Sequence, residues 1–212
     1  MKVGTAAIIV TMMLVFGYGE NVSADLIVRG MGTVNAGGEA EGQSFKLIYD
    51  TEQDITWLDY TKSRDDWWAQ DYWVADLVVN YLDLLLNDWR GPSVGDNPSF
   101  GFEQTTSEMG HLYYLSLGNE AGGPLENTGP FNNLKANWYW AGAEYSPNIS
   151  NAWNFDFNEG RQHDFVKGGN CYVLAVLPGD VPQDPNYVPI PPAVWLLGSG
   201  LVGLFGLRRK MR

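Results

Sequence analysis

The chain has an apolar segment at each end, and this arrangement limits the folded core to the residues between the two segments. At the N-terminus, Lys2 is followed by an apolar run over residues 6–16 and by the small residues Val22-Ser23-Ala24. A basic position, an apolar run and a small-residue cleavage site in this order are typical of a secretory signal peptide. We expect signal peptidase to remove residues 1–24, so that the mature chain is exported.

At the C-terminus a proline-rich motif, an apolar run and a basic cluster follow one another. The run covers residues 192–207, and the motif and the cluster consist of Val188, Pro189, Ile190, Pro191, Arg208, Arg209 and Lys210. As a helix the run would be about 24 Å long at about 1.5 Å per residue, near the roughly 30 Å hydrocarbon core of a bilayer. The sequence predicts a transmembrane helix over residues 192–207 and, by the positive-inside rule, a cytoplasmic tail over residues 208–212.

This C-terminal arrangement resembles a PEP-CTERM sorting signal. In that family an exosortase, which is an integral-membrane transpeptidase, processes the tail, and the protein reaches the cell surface or an exopolysaccharide matrix. The position between the two prolines is usually glutamate in the family and is Ile190 here, as in a subtype with an apolar residue. The resemblance implies that an exosortase is a partner of this chain. A permanent membrane anchor is the alternative.

The residues between the ends are strongly acidic. The chain has 13 Lys and Arg and 25 Asp and Glu; five of the basic residues and one of the acidic residues lie in the two ends. The remainder carries eight basic and 24 acidic side chains, which gives a net charge of −16. Because such a surface repels nucleic acid, we expect no DNA or RNA partner. The single cysteine, Cys171, excludes an internal disulfide.

Alternating apolar and polar residues predict strands in the middle region. The alternation over residues 44–49 and 55–58 predicts a hairpin, because a turn-rich segment separates the two runs. Further strands are expected over residues 137–140, 152–158 and 171–177.

Helical spacing of apolar residues predicts two helices. One is expected over residues 64–86 with Ser63 as its cap, and the other over residues 108–117 with Thr106 or Ser107 as its cap. Strands and helices together predict an α+β fold over residues 25–180, with two helices and a short-stranded, mostly antiparallel sheet. A proline-rich linker is expected over residues 181–191.

Seven short motifs occur in an order that resembles the Lcl C-terminal-like domain, which is named for a collagen-like bacterial adhesin. They are Leu47-Ile48-Tyr49-Asp50, Asp54-Ile55-Thr56-Trp57-Leu58, Asp88-Trp89-Arg90-x-Pro92, Ser107-Glu108-Met109-Gly110-His111-Leu112, Gly129-Pro130-Phe131, Tyr139-Trp140-x-Gly142-x-Glu144-Tyr145 and Pro178-Gly179-Asp180. The resemblance covers residues 47–180 and implies a C-type-lectin-like or formylglycine-generating-enzyme-like fold. In the adhesin the domain binds sulfated glycosaminoglycans. That specificity does not extend to this acidic chain, because binding a sulfated polymer needs a basic surface.

Two groups of residues are candidates for binding ligands. Aromatic rings can stack on the faces of sugars, and the candidates for this role are Trp138, Trp140 and Tyr145, with core packing as the alternative. Calcium takes about six to eight oxygen ligands, and a weaker candidate site consists of Asn154, Asp156 and Asn158, which alternate along a predicted strand. The alternative is that these three polar residues form a solvated strand face.

Catalytic chemistry has less support in the sequence. There is no nucleophile elbow, phosphate-binding loop or zinc-protease motif. Glu108 and His111 form the strongest catalytic pair, but Arg90 is expected to pair with Glu108, His111 to be packed, and Cys171 to be a buried thiol. We therefore expect a non-catalytic, exported surface or matrix protein that binds an extracellular polysaccharide or another envelope component. The alternatives are a structural matrix protein without a specific ligand and an enzyme of unknown reaction.

Overall fold

The structure is a computed structural model that describes residues 26–187. Its strands in chain order are β1 (Leu26–Ala36), β2 (Ser44–Asp50), β3 (Ile55–Leu58), β4 (Lys62–Asp65), β5 (Val78–Tyr81), β6 (Leu84–Leu86), β7 (Trp138–Glu144), β8 (Asn151–Asp156), β9 (Arg161–Val166), β10 (Cys171–Val173) and β11 (Val176–Pro178). The helices are α1 (Trp67–Ala75) and α2 (Glu108–His111). A 3-10 turn covers Gly38–Ala40, and α2 continues into a π-helical turn over Leu112–Ser116.

The predicted α+β, lectin-like fold is wrong, because the chain is mostly β. Residues 26–187 form two sheets, one of them curled into a half-barrel, together with only two short α-helices. The first sheet has the strand order β11-β3-β2-β1-β5-β6, and each neighbouring pair in it is antiparallel. The second sheet has the order β4-β10-β7-β8-β9, and β10 and β7 form its parallel pair.

The error in the predicted fold class arose mainly in residues 76–86, where the apolar positions fit both a helix and a strand. Leu77, Val79 and Tyr81 are buried, whereas Asn80 is exposed, so the true period is two and the segment contains the strand β5. The helix expected over residues 64–86 is therefore reduced to α1.

Both helices begin at a side-chain cap. The carboxylate of Asp66, rather than the predicted Ser63, accepts a hydrogen bond from Ala69 N at 2.8 Å and starts α1. Ser107 caps α2 as one of the two predicted candidates, since its hydroxyl accepts a hydrogen bond from Gly110 N at 3.1 Å. The second helix thus starts where the sequence placed it.

The strand predictions are mostly confirmed. The predicted hairpin is β2–β3, with Leu47 opposite Leu58, and the strands expected over residues 137–140 and 152–158 correspond to β7 and β8. The single strand expected over residues 171–177 is divided into β10 and β11, which belong to different sheets. The chain therefore crosses from one sheet to the other between Val173 and Val176.

The second sheet has two differently covered faces. Its inner face contributes Tyr139, Trp153 and Phe155 to the largest core, where they meet Trp57 of the first sheet. On its outer face, a smaller buried cluster consists of Trp67 of α1 with Trp140, Ala152 and Cys171. Because α1 is short, it covers only part of the outer face, and the rest is free to form a site.

The predicted terminal segments lie outside the described residues. These are the signal peptide over residues 1–24, the sorting motif with its basic cluster, and the helix over residues 192–207. Between residues 26 and 187, none of the helices is long and apolar enough to span a bilayer.

The first part of the predicted linker is attached to the domain. The guanidinium of Arg29 holds the carboxylate of Asp180 at 2.7 and 2.5 Å, and the backbone oxygen of Arg29 accepts a hydrogen bond from Asp184 N at 2.8 Å. The Tyr81 hydroxyl lies 2.7 Å from the carbonyl oxygen of Pro182. Residues 180–184 therefore lie against β1 and β5.

Candidate ligand-binding pocket

A pocket of about 410 Å³ lies on the outer face of the second sheet, next to the part that α1 covers. Its volume is within the usual range of sites for small molecules. All five strands of this sheet contribute to the lining, and the turn that joins β9 to β10 adds one residue, Asn170. The lining consists of Arg64, Trp138, Asn154, Arg161, His163, Asp164, Phe165, Asn170 and Cys171.

Strand register explains why these side chains converge. Alternate residues of a strand point to the same face, so Arg161, His163 and Phe165 form a row along β9. Asn154 of β8 lies opposite His163 and also opposite Trp140 of β7. The two edge strands thus supply the sides of a trough, and β7, β8 and β10 supply its floor.

The sides of the pocket are basic, although the domain is acidic. On β4, Arg64 donates from Nε and Nη2 to the carbonyl oxygen of Asn170, at 3.0 and 2.7 Å. Across the trough, Arg161 has its nearest carboxylate, Glu159 Oε1, 3.9 Å from Nη1. Among residues 26–187, Arg64 has no carboxylate partner within 4.0 Å. The two guanidinium groups therefore retain positive charge that can meet an anion.

His163 lies between Arg161 and Phe165 in the row along β9. Its Nδ1 donates to the carbonyl oxygen of Asp164 at 2.7 Å, because a carbonyl can only accept, and its ring stacks on Phe100 at 4.8 Å. The carboxylate of Asp164 is held by Asn151, whose Nδ2 donates to Oδ2 at 2.6 Å. The other oxygen of this carboxylate, Oδ1, lies 3.2 Å from Nδ1 of His163, so the one acidic residue of the lining has a partner at each oxygen.

Asn154 on the floor is the most unusual residue of the site. It is only 3% exposed, and its Oδ1 has no hydrogen-bond partner among residues 26–187. Its side chain lies beside the Cys171 thiol and lowers the pKa of that thiol. Exchanging the amide oxygen and nitrogen would still leave one end of the amide unpartnered. Since an unsatisfied buried polar group costs about 1–3 kcal/mol, this amide is a strong candidate to bind a ligand.

Cys171 on the same floor is a buried thiol, as predicted. Burial raises its pKa to about 11, although the charge of Arg64 and the neighbouring Asn154 side chain act in the opposite direction. The thiol is therefore protonated at neutral pH and does not supply a nucleophile.

The three predicted sugar-binding aromatic residues are separated. Trp138 is half-buried and lines the pocket. Trp140 is only 1% exposed and does not line the pocket, and its Nε1 donates to the carbonyl oxygen of Asp65 at 3.1 Å. Tyr145 packs against Phe100 at 5.3 Å, beside the largest core, and does not line the pocket.

The predicted calcium candidates do not form a solvated strand face. Asn154 is buried, and Asp156 is 5% exposed. Asp156 Oδ1 accepts hydrogen bonds from the backbone N and the Nδ2 of Asn158, at 2.8 and 2.5 Å, which fixes the turn after β8. In the part of the chain that the structure describes, no group of three or more His, Cys, Asp or Glu is arranged to hold a metal ion. Calcium binding through these amide and carboxylate oxygens stays a prediction.

The expected pairing of Arg90 with Glu108 is confirmed. Nη1 and Nη2 of Arg90 donate to the two carboxylate oxygens of Glu108 at 2.8 and 2.6 Å, and Ser93 N donates to the same carboxylate at 2.7 Å. His111 has its Nε2 3.3 Å from Glu52 Oε2, in a geometry too poor for a hydrogen bond. Glu108 thus joins α2 to the segment that contains Arg90.

The basic residues of the pocket were not predicted from the sequence. A signal was present, because Arg161, His163 and Phe165 alternate directly after the turn at Gly160. Arg64 and Asn170 had no such signal, since they approach the others only when β4 and β10 pair.

Comparisons with family models, with curated proteins and with solved structures find no match for this chain.

Proposed function

We propose that this chain is an exported surface or matrix protein whose domain binds an acidic sugar in the pocket of the second sheet. The observation that supports this most is that Arg64 and Arg161, on the two edge strands of the sheet, line one pocket together with an unpartnered buried amide. This built pocket favours a binding module over a purely structural matrix protein.

The chemistry of the lining suits a ring that carries a negative charge. A guanidinium group offers a planar fork of N–H donors that matches a carboxylate or a sulfate. The half-buried ring of Trp138 offers an apolar surface for a sugar face. The Asn154 amide supplies a polar group that a sugar hydroxyl can meet. The protonated thiol of Cys171 supports binding without catalysis.

Calorimetry of the purified protein with glucuronic acid, a sulfated monosaccharide and glucose tests this function. We expect binding of one or both acidic sugars and none of glucose. The double variant R64A/R161A should bind at least about a hundred-fold more weakly, because each hydrogen bond to a charged group contributes about 1.5–3 kcal/mol.

The matched control is K135A. Lys135 is an exposed base that stacks on Tyr172 at 4.8 Å and does not line the pocket, so its loss should leave binding unchanged. Equal weakening by K135A and R64A/R161A would show a nonspecific charge effect. Absence of binding to both acidic sugars would refute the function.

The proposed route is export with removal of residues 1–24, a temporary membrane anchor over residues 192–207, and processing by an exosortase. Mass spectrometry of the mature protein from fractionated host cells tests this route. Surface or matrix material that ends near Pro191 is expected. Inner-membrane material that retains Arg212 would instead indicate a permanent anchor.

A further inference from the structure

We infer that the pocket accepts the end of a saccharide chain, with the acidic sugar as the terminal unit, and not an internal stretch of a polymer. This inference rests on the proposed function and specifies which part of the ligand enters the trough. It follows from the closed end of the trough and from the distribution of charge around it.

At one end, which we call the closed end, the trough meets aromatic side chains and the helix α1. Phe165 lines the pocket and stacks on Trp140, with ring centroids 6.0 Å apart and planes at 28°. Trp140 belongs to the buried cluster that Trp67 of α1 covers, and Trp67 Nε1 donates to the carbonyl oxygen of Ala141 at 2.9 Å. A sugar chain that entered between the two edge strands would therefore meet packed rings beyond the pocket.

The position of the Phe165 ring depends on a glycine in the turn that follows β9. A side chain at Gly169 would bring a Cβ atom within 2.0 Å of Phe165 Cε1, so glycine is needed there for the ring to occupy its position. The next residue, Asn170, is tied through its carbonyl oxygen to Arg64 on the neighbouring strand β4. The turn from β9 to β10 thus forms a wall that joins the closed end to the β4 side.

The distribution of charge limits the ligand to one acidic unit. Arg64 and Arg161 can neutralise one acidic group inside the trough, but Glu159 lies 3.9 Å from Arg161 and the domain as a whole is strongly acidic. A second acidic unit outside the pocket would face this negative potential. A single acidic unit at the end of a chain avoids that repulsion.

Two trisaccharides that contain one uronic acid and two neutral sugars test the inference. In one the uronic acid is terminal, and in the other it occupies the middle position. By calorimetry at moderate salt, we expect the terminal isomer to bind within about three-fold of the free monosaccharide and the internal isomer at least about ten-fold more weakly. Equal or tighter binding of the internal isomer would overturn the inference while leaving the proposed function intact. Failure of the monosaccharide and both isomers to bind would refute both.

A variant of the closing ring provides the second measurement. F165A should open the closed end and reduce the preference for the terminal isomer at least about three-fold, whereas V166A should leave the preference unchanged. Val166 is the matched control, because it is 50% exposed, similar to the 44% of Phe165, and points to the opposite face of β9. An unchanged preference in folded F165A would contradict the role of this ring. If F165A does not fold, the two isomers with the unaltered protein decide the question.

Discussion

At the scale of single residues, the pocket combines a cost in stability with a capacity to bind. Asn154 is buried with one amide end unpartnered, and the surrounding side chains are mostly aromatic or basic. Such an arrangement is unfavourable in the free protein and becomes favourable when a ligand supplies the missing hydrogen bond. Replacing the Asn154 side chain with an apolar one is therefore expected to stabilise the free protein and to weaken ligand binding.

The variant N154L tests that separation. Leucine has a similar size and no polar atoms, so the free energy of unfolding should rise by about 1 kcal/mol while binding of the acidic sugar weakens at least about ten-fold. Urea unfolding and calorimetry measure the two effects. Binding that is unchanged in N154L would show that this amide does not contact the ligand.

Cys171 predicts a loss of stability at alkaline pH. Burial raises its pKa from 9.0 to about 11, so the unfolded chain releases the thiol proton first. This contribution to the free energy of unfolding is complete below about pH 9 and is lost as pH rises towards about 11. The buried tyrosines titrate higher still, and they are common to the parent and to C171A.

Urea unfolding of both proteins at several pH values therefore isolates the thiol. The stability of C171A should fall less steeply between about pH 9 and 11 than that of the parent. Parallel curves over this interval would contradict the assigned burial of the thiol.

At the scale of elements, contacts between distant segments hold the two sheets together. The turn Gly38–Ala40 lies between β1 and β2 of the first sheet, yet Glu39 accepts hydrogen bonds from Ser63 N at 2.7 Å and Ser63 Oγ at 2.6 Å, on β4 of the second sheet. Tyr60 donates to the same carboxylate at 2.7 Å. Glu39 is thus a polar link between the sheets.

This link predicts a loss of stability in acid. Burial alone would raise the pKa of Glu39, but the hydrogen bonds from Ser63 and Tyr60 outweigh it and lower the pKa from 4.5 to about 2. Its contribution is present above pH 4.5 and is lost as pH falls towards about 2. E39Q should therefore flatten the acid limb of the stability profile measured by urea unfolding. The exposed neighbour variant E41Q is the control, and identical acid limbs for E39Q and the parent would contradict the link.

Local patterns allowed some elements to be predicted, whereas elements that depend on long-range pairing were missed. The hairpin β2–β3 and the cap at Ser107 follow from residues that are close in sequence. The long strand β1 was not predicted, because Arg29 and its glycines interrupt the apolar alternation, and it gains its partners only from β2 and β5. The same reason explains why only part of the pocket was predicted. Trp138 was identified as an aromatic candidate, but the basic residues Arg64 and Arg161 come together only when strands that are remote in sequence pair.

At the scale of the whole molecule, a strongly acidic domain carries one basic trough. Its net charge of −16 predicts repulsion of nucleic acid and of long acidic polymers. In the trough, however, neither Arg64 nor Arg161 has a carboxylate partner within 3.5 Å among residues 26–187. The chain between residues 180 and 184 lies against β1 and β5, away from the trough-lining residues. Residues 180–184 therefore do not obstruct the trough.

The most direct test of the central claim is a crystal structure of the protein grown with glucuronic acid. We predict a sugar ring against Trp138, its carboxylate between Arg64 and Arg161, and one of its polar atoms within hydrogen-bond distance of the Asn154 side chain. A structure with an empty trough at saturating sugar, or with the sugar bound at another surface such as that of Tyr145, would contradict the account.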